Sequence, residues 1–124
     1  MKPGHIHVPS DCEKVSGILQ RIGDKWAVLI IILLGNGSLR FSELRKQISN
    51  ISQRMLTFTL RGLERDGLVT RTVTPTVPPR VDYALTPLGT SLLEPLQTLG
   101  TWAKQNVDDI ARAQTRYDKL NPEK

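Results

Sequence analysis

Apolar positions along the chain change spacing from helical to alternating and back to helical. Val15, Ile18, Leu19 and Ile22 recur three and four residues apart, which predicts an amphipathic first helix over residues 12–22. The run "WAVLIIILL" is apolar on every side, so periodicity alone cannot separate a buried helix from a buried strand. Its flanks choose the helix: Asp24 in front is a good N-cap, and Gly35, Asn36 and Gly37 behind supply a stop. A central buried helix is expected there.

Ser42 can cap a short third helix over residues 43–48, with Leu44 and Ile48 facing inward and Arg45 and Lys46 outward. In "NISQRMLTFTLRGLERDGLV", Ser52 is the N-cap and Ile51 is placed to staple onto Leu56. At roughly 100° per residue, Met55, Leu56, Thr59, Leu60 and Leu63 share one side, and Arg54, Thr57, Phe58, Arg61 and Arg65 the other. The helix stops at Gly67. Phe58 is the anomaly, an aromatic ring among arginines on the polar face.

"LVTRTVT" and "RVDYAL" then alternate with period two around "PTVPP", which predicts a hairpin with a stiff proline-rich tip. Thr86 as cap and Pro87 at the first helical position open a helical region to about residue 117, carried by Leu88, Leu92, Leu96, Leu99 and Ala103. Pro95 predicts a kink and Gly100 a bend or break, and the polar tail over residues 116–124 is expected to fray.

Three helices, a tight turn before a fourth, and then a hairpin make the layout of a winged helix-turn-helix, mainly α with a small β-hairpin. At 124 residues and 39% hydrophobic content, one domain with its own core is expected. Within it, residues 1–11 read as a flexible arm, 24–67 as the helix-turn-helix core, 68–86 as the wing and 87–119 as a C-terminal helical dimerisation region.

Charge sharpens this layout. The net charge is +5, and residues 38–82 alone hold eight of the 17 basic side chains against four of the 12 acidic ones. A basic patch confined to one stretch suits a polyanion. Gln53 and Arg54 can reach base edges, Thr57 and Phe58 share their face, and Arg61 and Arg65 lie further along and suit phosphates. Ser52, with the free amides of the helix start, can hold a further phosphate. Arg40, Ser42 and Arg45, with Arg71 and Arg80 on the hairpin, are the candidate backbone and wing contacts. A charged outer face is also what a solvated helix shows, and winged helices also bind proteins. The capped turn, the basic face and the basic hairpin together favour double-stranded DNA.

The stretches "IGDKWAVLIIILL", "RFSELRKQISNISQRMLTFTLRGLERDGLV" and "VPPRVDYALTPLG", with the later Trp102, resemble the HxlR family of bacterial transcription regulators, relatives of the MarR type. The resemblance implies a homodimer that binds a palindromic operator and represses or activates nearby genes. It also implies a dimer interface of the first and C-terminal helices, here Val15, Ile18, Leu19 and Ile22 with Leu92, Leu96, Leu99 and Trp102. Several members use a cysteine before the first helix to sense electrophiles, quinones or oxidants, and Cys12 stands at the corresponding place.

Cys12 is the only cysteine, so a disulfide within one chain and a multi-cysteine metal site are both excluded. His5 and His7, two apart in the N-terminal arm, are too weak a pattern for a metal, and neither a metal nor a cofactor is assigned. No paired nucleophile and base and no glycine-rich phosphate loop is present, so an enzyme is not expected. The longest apolar run, residues 27–34, is far short of the roughly 20 residues a membrane helix needs. The first residues contain no apolar signal core, and the cytoplasm is the expected location.

Overall fold

The computed structural model describes residues 9–122. Its elements run α1 (Pro9–Gly23), α2 (Lys25–Leu34), β1 (Leu39–Arg40), α3 (Phe41–Gln47), α4 (Gln53–Arg65), β2 (Val69–Thr74), β3 (Arg80–Leu85), α5 (Pro87–Ser91) and α6 (Leu93–Leu120). The chain divides into two units, residues 1–93 and residues 94–124.

In the first unit, α1 starts earlier than its apolar spacing predicts. Pro9 sits at its first position, where a missing N–H costs nothing, so residues 9–11 are helical and not part of a flexible arm. The rest of that arm, with His5 and His7, lies outside the described residues. The Asp24 side chain caps α2, accepting from the Trp26 N–H at 3.1 Å. Beyond its end, Gly37 takes a positive φ of 135°, which frees the chain to turn. Ala27, Ile30, Ile31 and Leu34 are buried, but Leu29 and Ile32 are each 42% exposed. The helix is therefore buried along one stripe and not all round.

β1 is not legible in the sequence, and it moves the start of α3. Pairing with β3 holds Leu39 and Arg40 extended up to the helix, so Arg40 and not Ser42 occupies the N-cap position. The Arg40 N–H donates to Glu43 Oε1 at 2.8 Å, and Ser42 is an exposed residue inside the helix.

The sheet is antiparallel with order β1-β3-β2. Its hairpin, formed by the two segments whose alternation predicts one, runs in register from Val69 opposite Leu85 to Thr74 opposite Arg80. On the other edge of β3, Leu39 faces Tyr83 and Arg40 faces Asp82. The core gathers the α2 stripe, Leu44 and Ile48, Ile51, Leu56, Leu60 and Leu63, and Leu68, Val69 and Tyr83. Full burial of such side chains contributes on the order of 1.5–3 kcal/mol each before chain entropy is charged against it.

Thr86 joins the sheet to α5. Its hydroxyl accepts from the Gly89 N–H at 3.0 Å and donates to the Gly67 carbonyl at 2.6 Å. Gly89 is buried with its Cα against the Leu68 carbonyl, too close for any side chain. The expected interruptions fall elsewhere than predicted. The helix breaks at Leu92, between α5 and α6, so Pro95 lies in the first turn of α6, where no intrahelical N–H partner is required.

In the second unit, α6 passes Gly100 without a break and continues to Leu120, so the stretch from residue 116 is helical rather than frayed. Leu99, Trp102, Val107, Ile110, Tyr117 and Leu120 are exposed along it.

Candidate nucleic-acid interface

The turn between α3 and α4 is closed by the backbone: the Ile51 N–H donates to the Ile48 carbonyl at 3.2 Å, and both side chains are buried. That anchoring sets where α4 begins. Ser52, extended at φ −77° and ψ 157°, accepts the Met55 N–H on its Oγ at 3.0 Å, and its carbonyl takes the Leu56 N–H at 2.9 Å. The amides of Gln53 and Arg54 precede the first intrahelical bond and point out of the helix start, where an anion is favoured.

Leu56, Thr59, Leu60 and Leu63 fix the inner face of α4, with the Thr59 hydroxyl donating to the Met55 carbonyl at 2.8 Å. Met55, expected inward, is 39% exposed: it sits one step round the helix from Leu56, at the edge of the apolar stripe. Gln53, Arg54, Phe58, Arg61 and Arg65 are exposed and Thr57 is half-buried. Gln53, Arg54, Thr57, Phe58 and Arg61 line one shallow concavity of about 560 Å3. Arg54, Phe58, Arg61 and Arg65 are spaced four, three and four apart, a single stripe down the helix.

A second concavity, of about 290 Å3, joins this face to the wing root and is lined by Thr57, Arg61, Glu64, Arg71 and Tyr83. It brings Arg61 and Arg71 from two elements to one cleft. Arg80 is held differently, its Nε donating to Asp82 Oδ2 at 3.1 Å on the same strand. Asp82 also faces Arg40 across the β1–β3 pair. Sequence reasoning missed this carboxylate, although an acid two residues along a strand from a base shares its face. At the wing tip the Thr76 hydroxyl donates to the Pro78 carbonyl at 2.8 Å, the Val77–Pro78 peptide is cis, and Val77 is fully exposed. Arg45 is exposed on α3.

The remaining candidates stand on α1 and in the stretch from residue 92 onward. Cys12 is half-buried at the fourth residue of α1. Val15, Ile18 and Leu19 are 53–61% exposed and Ile22 is half-buried. Leu92 is half-buried, Leu96 buried, and Leu99 and Trp102 exposed. Among the described residues no cluster of His, Cys, Asp and Glu could hold a metal ion, and no helix is long and apolar enough to cross a membrane.

A helix with a polar and cationic face beside a basic hairpin, both held on one core, can meet a groove and its flanking phosphates at once. Known proteins resemble this chain in sequence and fold. The model of the HxlR-like helix-turn-helix family matches residues 21–111. The uncharacterized HTH-type transcriptional regulator YtfH of Escherichia coli is 40% identical over 93 residues, 75% of this chain and 74% of its own. Among solved structures, the redox regulator HypR in its reduced form aligns with a TM-score of 0.74 at 38% identity, over 80% of this chain and 98% of that one. The reduced transcriptional regulator YodB of Bacillus subtilis aligns at 0.68 and 39%, over 76% and 92%.

Proposed function

We propose that this chain, which belongs to the HxlR-like helix-turn-helix family of transcriptional regulators, acts as a DNA-binding repressor, a homodimer on a palindromic operator. The observation that carries the reading is the outer face of α4, where Gln53, Arg54, Thr57, Phe58 and Arg61 share one concavity beside the wing. On this reading α4 enters the major groove. Gln53 and Arg54 meet base edges near the helix start, while Ser52, Arg61, Arg65, Arg40, Ser42, Arg45, Arg71 and Arg80 hold the backbone. A regulator of this kind works on chromosomal DNA in the cytoplasm.

Dimerisation places two α4 helices about 34 Å apart, one turn of DNA, so that each reads a half-site. The exposed Val15, Ile18 and Leu19 on α1, and separately Leu99 and Trp102 on α6, support an interface that buries them; Ile22 and Leu92 are half-buried and Leu96 is already buried in the single chain. Mobility shifts on DNA upstream of the gene and its neighbour, across a salt series, test the reading. The expected result is a steep loss of affinity with salt, and Arg54→Ala abolishing the shift while the dimer survives. A flat salt response would overturn it and favour a protein-binding winged helix.

The redox regulators among the similar structures support a second layer, in which Cys12 senses an electrophile or oxidant. The thiolate adds to a quinone ring carbon to form a thioether; the electron pair of the broken ring π bond moves to a carbonyl oxygen, which takes up a proton, and the ring tautomerises to the hydroquinone. With an oxidant such as diamide, Cys12 and a thiol of a second molecule give up two electrons and two protons to it and join as a disulfide. Cys12→Ser is expected to bind DNA normally and to ignore both reagents. An unchanged oxidant response in that variant removes Cys12 from the mechanism.

A further inference from the structure

We propose that Phe58 is a specificity-determining residue of the α4 surface, its ring reading the 5-methyl group of a thymine; the inference rests on α4 being the groove-entering helix. Phe58 is 66% exposed, against 39% for Met55, so it is the apolar side chain that α4 leaves most open to water. It lies within the stripe between Arg54 and Arg61, four residues after one and three before the other.

Its surroundings do not tie it to the wing root. The cleft at the wing root is lined by Thr57, Arg61, Glu64, Arg71 and Tyr83, without Phe58. The ring instead stands between two open concavities. One holds Gln53, Arg54, Thr57 and Arg61; the other, of about 300 Å3, holds Gly17, Gln20, Arg21, Asp24 and Thr59. It is a ridge shared by both hollows, and Phe58 is the one large apolar residue in the lining of either.

The chemistry then narrows what the ridge can meet. A phenyl ring neither donates nor accepts a conventional hydrogen bond, so it cannot read the polar edges of guanine, adenine or cytosine. Among the four bases thymine alone presents an apolar group in the major groove, its C5 methyl. Arg54 and Arg61 on either side are placed to hold guanine edges or phosphates, which keeps the ring over the base between them.

The test starts with the full-length wild-type chain selecting a site from a library of random DNA duplexes. Each thymine of the selected duplex is then replaced singly by deoxyuridine, and wild type, Phe58→Ala and Phe58→Gln are titrated by fluorescence anisotropy. At one thymine per half-site, wild type should lose roughly fourfold in affinity, the worth of one buried methyl group. Phe58→Ala should still bind the duplex, more weakly, and show no further loss at that thymine. Phe58→Gln should prefer a different base there. A uniform response to deoxyuridine in wild type, or an unchanged penalty in Phe58→Ala, overturns the inference while leaving DNA binding intact. A Phe58→Ala chain that melts far below wild type also overturns it, by showing that the ring holds protein. A wild-type chain that selects no duplex overturns the DNA reading itself.

Discussion

Arg21 and Asp66 are 45 residues apart in sequence, and the Nε of the first donates to the Oδ2 of the second at 2.7 Å. The bond ties the last turn of α1 to the residue that closes α4, and the guanidinium lies against Gly62, where a methyl group would collide with it. The helix proposed for dimerisation is thus latched to the helix proposed for recognition.

Each side chain of that latch is 31% exposed, so solvent screens most of its Coulomb energy. A double-mutant cycle of Arg21→Ala and Asp66→Ala, followed by urea unfolding, should give a coupling of about 0.2–1 kcal/mol. A coupling above about 2 kcal/mol would show that the pair behaves as buried.

Two glycines should respond oppositely to the same substitution. Gly89→Ala forces a methyl into the Leu68 carbonyl, which is backbone and cannot swing aside, so a loss of at least about 2 kcal/mol is expected. Gly100 has open space around it inside a continuous helix, so Gly100→Ala should gain about 0.5–1 kcal/mol. Thermal melts of the two variants check both signs, and a destabilised Gly100→Ala would mean that the helix needs its glycine.

On the wing, Asp82 neutralises Arg80 before any phosphate arrives. Asp82→Asn keeps the shape and removes the charge, so it should tighten DNA binding at low salt, with the advantage fading as salt screens it. Arg71→Ala should weaken all sequences alike and lower the salt slope by about one. Equal affinities for wild type and Asp82→Asn at low salt would show that Arg80 takes no part.

The elements legible in the sequence are those set by local chemistry. Ser52 before α4 and Asp24 before α2 are caps whose side chains make the expected bonds, and the hairpin forms from the two segments that alternate. The features that sequence hides depend on distant partners. β1 is two residues long and exists because β3 offers an edge, so no periodicity announces it, and the cap position that Ser42 suggests belongs to Arg40. Pro95 and Gly100 both weaken a helix and so suggest breaks, yet the break lies at Leu92. A proline three residues into a new helix costs it no hydrogen bond. Phe58 is visible in the sequence as an anomaly, but only the structure sets it, exposed, between two concavities.

β1 makes the wing and the helix-turn-helix a single piece. Because Leu39 and Arg40 pair with Tyr83 and Asp82 and lead directly into α3, main-chain hydrogen bonds lock the wing to the start of the helix-turn-helix. The distance between the helix and the wing is therefore a fixed gauge. On the proposed DNA reading the duplex must fit that gauge, so a base pair inserted between the bases assigned to α4 and the backbone assigned to the wing is expected to shift one contact out of phase with the other.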